Sequence, residues 1–314
     1  MIPAVAVSPE AAFWTRFSRL VKQPWPMKIR SSGLAARRTF PGLPIPVRLA
    51  WGAWELAWQN DLGNHLLAGE YEGPEYEFVQ RFLRKGMVVL DIGANEGFYT
   101  LLAAYCVGKN GFVIAFEPSP RERNRLRMNL GLNLCGNVRV EEAAVADREG
   151  VMSLHVVQTA ETGCNSLRPP AVQGPTRILP VDVTTVDHFL RRNAVERVDF
   201  VKMDVEGAEL LALKGAKNLF RTIPRPVVMI EVSDLRTIPW GYRSREILDW
   251  FCELGFVLYS SVGEGQLELL RIDEIQNGSI WNVLAVPPER APEIEPFLMK
   301  QEIPASQRPA YANC

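Results

Sequence analysis

The sequence has few of the residues that form metal sites and disulfide frameworks. Its three histidines, His65, His155 and His188, do not have the spacing of zinc ligands. The five cysteines are widely spread and include no Cys-x-x-Cys pair, so neither a zinc site nor a disulfide framework is indicated. We therefore expect reduced thiols, as in a cytosolic protein, and no metal site built from these residues.

Net charge and long apolar runs are also lacking. With 35 basic and 36 acidic residues the formal net charge is -1, which gives no overall attraction to nucleic acid or to an anionic membrane. No apolar run approaches the ~20 residues that cross a bilayer. Near the start of the chain, Pro3, Ser8, Pro9 and Glu10 interrupt the stretch where a signal peptide would have its apolar core. We expect a cytoplasmic protein without a nucleic-acid partner.

Residues 1–70 are predicted to be an N-terminal extension of helices and loops. Apolar residues recur at helical spacing over 13–21, and every charged residue over 16–48 is basic. A basic amphipathic helix either packs on the main domain, as a lid or a dimer contact, or lies on a membrane surface. Three tryptophans are predicted to share one face of a further helix: Trp51, Trp54 and Trp58.

Residues 71–290 show strands alternating with helices, which predicts an α/β domain with a parallel sheet covered on both faces. The predicted strands are 88–90, 112–116, 138–144, 151–157, 198–204, 226–230, 256–260 and 280–286. The predicted helices are 74–83, 98–107, 120–133, 184–190, 208–215 and 244–254. Because the last two strands have no obvious helix between them, we expect one of them to be antiparallel. Residues 291–314 are predicted to be a proline-rich tail.

A glycine-rich turn follows the first of these strands. The apolar run that starts at Val88 ends at Asp91, and Gly93 and Gly97 precede a helix that starts at Phe98. Open α/β sheets bind nucleotide-like ligands at this place, at the carboxyl ends of their strands. The Gly-x-x-x-Gly spacing after an acidic residue is similar to the cofactor turn of methyltransferases that use S-adenosylmethionine. The alternative is a structural tight turn in an unrelated α/β protein.

Acidic residues end four of the predicted strands, at Asp91, Glu117, Asp204 and Glu231. The carboxyl ends of parallel strands share one edge, so these side chains are expected to line one cleft. Glu117 is a candidate to accept two hydrogen bonds from a ribose diol, and Asp147 to accept from an adenine amino group. The alternative for each single carboxylate is a solvated helix cap. The predicted cofactor-binding residues are Asp91, Gly93, Ala94, Asn95, Gly97, Tyr99, Glu117, Pro118, Ala144, Asp147 and Asp204.

The fifth predicted strand and the turn that follows it carry the candidate catalytic residues Lys202, Asp204 and Glu206. Lys202 and Asp204 have the same parity and so point to the same face of the sheet. Lys202 interrupts an apolar strand, and a buried ammonium group is costly unless it is paired, which makes a structural ion pair with Asp204 or Glu231 one interpretation. The other is that Asp204 or Glu206 orients an acceptor hydroxyl or takes its proton. We predict no metal; a divalent cation on Asp204, Glu206 and Glu231 is the alternative.

Several motifs resemble the FkbM-type methyltransferases. They lie at 90–100, 115–118, 165–167, 181–187, 198–209 and 213–216, in an order and spacing that span about 70–287. Glu96 departs from the family pattern, in which an apolar residue is commoner. The resemblance implies a class I methyltransferase fold, Rossmann-like, with a seven-stranded, mostly parallel sheet and helices on both faces. It also implies S-adenosylmethionine as cofactor and O-methylation of hydroxyl groups on sugars or secondary metabolites.

We therefore expect an S-adenosylmethionine-dependent O-methyltransferase that acts on a small-molecule or glycan acceptor, with a homo-oligomer left open. Two alternatives remain at this point. One is a protein that binds S-adenosylmethionine without turnover and serves as a partner or scaffold. The other is a membrane-surface methyltransferase that reaches lipid-linked glycans through the basic N-terminal helix.

Overall fold

The computed structural model describes residues 42–69, 73–170, 172–272 and 280–299. The predicted basic helix over 13–21 and the end of the predicted tail lie outside these residues. The strands are β1 (Ile45–Arg48), β2 (Trp54–Ala57), β3 (Val88–Ile92), β4 (Phe112–Phe116), β5 (Val138–Glu141), β6 (Ala144–Val145), β7 (Gly150–Val157), β8 (Thr176–Thr184), β9 (Phe200–Met203), β10 (Val227–Ser233), β11 (Val257–Gly263), β12 (Gln266–Leu269) and β13 (Ile280–Val286). The α-helices are α1 (Asp61–Ala68), α2 (Gly73–Phe82), α3 (Phe98–Val107), α4 (Pro120–Leu132), α5 (Val186–Arg192), α6 (Glu209–Lys214), α7 (Asp234–Thr237), α8 (Arg245–Glu253) and α9 (Ala291–Ile294).

The central sheet has eight strands in the order β12-β11-β13-β10-β9-β3-β4-β5. The five strands from β10 to β5 run parallel to their neighbours, and β13 pairs antiparallel with both β10 and β11. The predicted α/β class and mostly parallel sheet are confirmed, including the antiparallel strand near the end. The sheet has one strand more than the predicted seven, because β11 and β12 form a hairpin around Glu264 and Gly265, which both have positive φ.

Helices cover both faces of this sheet, and the alternation of side chains along each strand separates two cores. Val89 packs in the core beneath α2 and α3, whereas its neighbour Leu90 packs in the core beneath α5, α6 and α8. Both side chains are almost fully buried. A parallel strand that is buried on both faces needs such a continuous apolar run.

A second, three-stranded sheet has the order β6-β8-β7 and its own small core, which includes Leu154 and Val183. The prediction of one strand over 138–144 was wrong in this respect: the chain leaves the central sheet after Glu141 and enters the second sheet at Ala144. Strand β8 was not predicted, because most of its residues are exposed and Pro180 interrupts its short alternation of apolar and polar residues. This sheet carries the loop over 158–168 to the carboxyl edge of the central sheet.

The predicted helix with three tryptophans on one face was wrong. Trp54 starts β2 of an antiparallel hairpin, and Trp51 lies in the turn that connects β1 to β2. The backbone N–H of Trp54 donates to the Asn133 side chain at 2.7 Å, and that of Leu56 donates to the Asn129 side chain at 2.9 Å. The hairpin therefore uses polar groups along and just beyond α4, a long-range pairing that helical periodicity does not reveal.

Three further observations concern the ends of the chain and its cysteines. Ile294 and Phe297, in the predicted tail, are buried in the main core. Cys106, Cys135 and Cys164 are free thiols, as expected, but Cys252 is disulfide-bonded, which the spacing did not predict. In the described part of the chain, no helix combines the length and the apolar character that crossing a bilayer requires.

Candidate active site

The glycine-rich turn after β3 lies against the end of β9. Gly93 has φ +86°, and a Cβ atom there would lie 1.8 Å from the main-chain oxygen of Asp204. Glycine is therefore required at this position for two reasons: the backbone is left-handed, and two main chains approach each other closely. The N–H groups of Gly93 and Ala94 donate to the carbonyl of Phe116 at 3.0 and 2.9 Å, which ties the turn to the end of β4.

Glu117, which follows β4, is buried beneath this turn. One carboxylate oxygen accepts from the N–H of Asn95 and the other from the N–H of Ser119, both at 2.8 Å. Burial is the largest influence on this group and raises the pKa of Glu117 to about 8. Each carboxylate oxygen has two lone pairs, so each retains the capacity to accept one more hydrogen bond.

Asp91, at the end of β3, has one satisfied and one unsatisfied oxygen. The Thr100 hydroxyl donates to Oδ2, whereas Oδ1 is buried and has no hydrogen-bond partner among the described residues. Burial raises the pKa of Asp91, and the nearby Lys202 ammonium partly opposes that shift. An orphaned carboxylate oxygen in a pocket is suited to a donor brought by a ligand.

Lys202 and Asp204 form an ion pair, with 3.0 Å between Nζ and Oδ2. The ammonium group also lies 5.4 Å from the centre of the Tyr99 ring. The expectation that the two side chains point to the same face is thus met, and the buried lysine has the partner that its burial requires.

Glu206 lies on the turn after β9 and pairs with Arg236, with 2.7 Å between Oε2 and Nε. It has φ +55° and precedes Gly207 with φ +96°. Burial and the charge of Asp204 raise the pKa of Glu206 to about 8, although Arg236 acts in the opposite direction. The turn is held from below by Glu209, whose Oε1 accepts from the N–H groups of Val205 and Gly207 at 2.9 and 3.2 Å.

Three carboxylates at this edge could hold a divalent cation. Asp204, Glu209 and Glu231 offer ligand oxygens within 4.8 Å of one another, so that Glu209 replaces Glu206 in the set considered from the sequence. Burial raises the pKa of Glu209 to about 7 and that of Glu231 well above its usual range. One oxygen of Asp204 already pairs with Lys202, and one of Glu209 is bonded to the backbone.

One pocket is lined by every predicted catalytic residue and by every predicted cofactor-binding residue except Asp147. Glu209 and Glu231 are not among its lining residues. Asp147 is not among the lining residues and lies 3.6 Å from Arg148, so its contact with a bound adenine stays a prediction. Further residues line the pocket that were given no role from the sequence: Leu62, Leu154, Thr162, Gly163, Asn165, Ser166 and Leu167. Most of them lie on the loop over 158–168, and the motif at 165–167 is the signal that could have found them.

A buried polar cluster connects this loop to the cofactor turn. Asn60 donates to Glu96 at 2.6 Å and to the Thr162 hydroxyl at 2.7 Å, and its own oxygen caps α1 by accepting from the N–H of Gly63. Glu96 also pairs with Arg125. The glutamate that departs from the family pattern is therefore the centre of a cluster that joins four separate segments.

Sequence comparison assigns the family. The sequence model of the methyltransferase FkbM domain matches residues 91–258, more than half of the chain. The chain belongs to the FkbM methyltransferase family. The predicted resemblance, the methyltransferase class and S-adenosylmethionine as the cofactor are thereby confirmed.

Individual relatives are more distant. The 2-O-methyltransferase NoeI of Sinorhizobium fredii is 28% identical over 146 residues, which cover 42% of this chain and 58% of NoeI. The hexuronic acid methyltransferase AglP of Haloferax volcanii is 28% identical over 205 residues, or 65% of this chain and 74% of AglP. The structural alignment with a solved S-adenosylmethionine-dependent O-methyltransferase from Thermotoga maritima covers 83% of this chain and 80% of that protein, with 13% identity and a TM-score of 0.38. The chain thus spans little more than half the length of NoeI.

The pocket residues of this FkbM family member fit the cofactor in two respects. Asp91 Oδ1 is a buried acceptor that has no donor among the described residues, and the ammonium group of S-adenosylmethionine can supply one. Glu117 retains acceptor capacity on both oxygens at the end of β4, where a ribose diol binds in folds of this type.

Proposed function

We propose that the protein transfers a methyl group from S-adenosylmethionine to a hydroxyl group of a sugar or glycan. The observation that carries this proposal is the position of Glu206: a carboxylate with a pKa raised to about 8 lines the same pocket as the cofactor turn and Glu117. Two relatives support it: NoeI is a 2-O-methyltransferase, which favours transfer to an oxygen, and AglP is a hexuronic acid methyltransferase, which favours a sugar acceptor.

Bound S-adenosylmethionine supplies an electrophilic methyl group on a sulfonium. The chain's own residues then have separate tasks. Glu117, Asp91 and the backbone of the turn over 93–97 hold the cofactor. Glu206 accepts the hydroxyl proton of the acceptor, and a base with a pKa near the working pH is suited to that task. The Lys202–Asp204 pair orients the hydroxyl, because a fixed nucleophile contributes much of the acceleration in a displacement of this kind.

The test compares Glu206→Gln with the wild type. We expect the variant to bind S-adenosylhomocysteine with unchanged affinity in calorimetry and to transfer tritiated methyl roughly 100-fold or more slowly to a panel of glycosides. The wild-type rate should rise with pH up to about 8, and the variant should lose this rise. Glu142→Gln is the control, since Glu142 is an exposed acid outside the pocket.

Two results would argue against the proposal. Full activity in Glu206→Gln would remove Glu206 from the reaction. Tight cofactor binding by the wild type, without transfer to any glycoside, would favour the alternative of a non-catalytic partner. The membrane-surface alternative depends on the basic helix over 13–21 and stays a prediction, since that helix lies outside the described residues.

A further inference from the structure

The rim of the pocket next to Glu206 has a cation stacked on an aromatic ring. The guanidinium of Arg168 lies 5.6 Å from the centre of the Trp240 ring. Arg168 is exposed and Trp240 is half-buried. Stacking fixes the plane of a guanidinium and leaves its edge, with several N–H donors, available to a ligand.

The indole of this pair lies against the turn that carries the proposed base. A Cβ atom on Gly207, the residue after Glu206, would lie 2.6 Å from Nε1 of Trp240, so the indole packs on this turn. On the other side, the Ser166 hydroxyl donates to the carbonyl of Glu206 at 2.8 Å. Leu167, the chain neighbour of Arg168, and Glu206, the chain neighbour of Gly207, line the pocket, whereas Arg168 and Trp240 are not among its lining residues. The pair therefore lies at the outer rim of the pocket.

Arg168 differs from the other cations around the pocket. Lys202 is paired with Asp204, Arg236 with Glu206, and Arg125 with Glu96. For Arg168, by contrast, no carboxylate partner occurs within the described ranges. The edge of the Arg168 guanidinium is therefore available to an anionic group of a ligand.

We propose that Arg168 and Trp240 form an acceptor subsite that selects sugars with a carboxylate group, such as a hexuronic acid. The indole provides a flat apolar surface for the ring of the sugar. The guanidinium edge matches the two oxygens of a carboxylate, which a neutral hydroxymethyl group cannot replace. This inference rests on the proposed function, because it names the acceptor class of the same site.

The experiment uses three methyl glycosides that differ only at C6: the glucuronoside, its uronamide and the glucoside. Their affinities are measured by calorimetry on the full-length protein saturated with S-adenosylhomocysteine, and methyl transfer is measured in parallel. We expect the wild type to bind the glucuronoside about five- to tenfold more tightly than the other two, the range for a charge-assisted contact at a wet rim. Arg168→Met should bring this ratio close to one, and raised salt should lower it.

Arg177→Met is the matched control, because Arg177 is an exposed arginine on β8 that, among the described residues, stacks on no aromatic ring. It should keep the wild-type ratio. Trp240→Leu should weaken all three glycosides alike. A wild-type ratio near one, or a ratio that Arg168→Met leaves unchanged, would overturn the inference. Binding that follows the expected pattern without methyl transfer would uphold the subsite and refute the proposed function instead.

Discussion

Replacing Gly93 by alanine tests the close approach on which the candidate site depends. The new methyl group would stand 1.8 Å from the main-chain oxygen of Asp204, so one of the two main chains would have to move. The left-handed backbone at φ +86° costs an alanine about 1–2 kcal/mol, and overpacking a well-packed interior adds about 1–3 kcal/mol. We expect the free energy of unfolding to fall by about 2–5 kcal/mol.

Gly86→Ala is the matched control for this experiment. Gly86 has nearly the same backbone angle, φ +89°, but no atom lies within 4 Å of a Cβ placed there. This variant should lose only the backbone contribution of about 1–2 kcal/mol. Urea denaturation followed by tryptophan fluorescence measures both losses, and calorimetry with S-adenosylhomocysteine should show at least tenfold weaker binding for Gly93→Ala alone. Equal losses of stability in the two variants would refute the close approach.

Three further predictions concern the groups around the pocket. Asn60→Ala should lower the free energy of unfolding, measured by urea denaturation, by about 2–3 kcal/mol, because it removes a helix cap and one hydrogen-bond donor to Glu96. Thr162→Val breaks one hydrogen bond of the same cluster and should lower the free energy of unfolding by less. Between pH 5 and 8 the free energy of unfolding of the cofactor-free protein should fall as the pH rises, because the pKa of Glu117 in the folded protein is about 8, above its usual 4.5. Glu117→Gln should reduce the slope of the free energy of unfolding against pH by at most about 1.4 kcal/mol per pH unit. EDTA should leave methyl transfer unchanged, because Asp204 and Glu209 already have protein partners; a loss of activity that Mg²⁺ restores would contradict this.

The sequence determined the features that depend on neighbouring residues. The apolar runs at 88–90 and Phe112–Phe116 predicted buried strands of a parallel sheet, because strands covered on both faces have continuous apolar runs. The acidic residue after each strand could then be assigned to one edge without further information, since parallel strands have the same direction. Asp91, Glu117 and Asp204 do line one pocket for this reason.

Only the tertiary structure decided which residues from distant segments meet. Asn60 contacts Glu96 and Thr162, at separations of 36 and 102 residues, and no local pattern carries that information. The same holds for Glu209 in place of Glu206 beside Asp204 and Glu231. The sequence alone predicts periodicity and turns because these are local, whereas pairings between loops depend on how the helices and sheets of distant segments pack together.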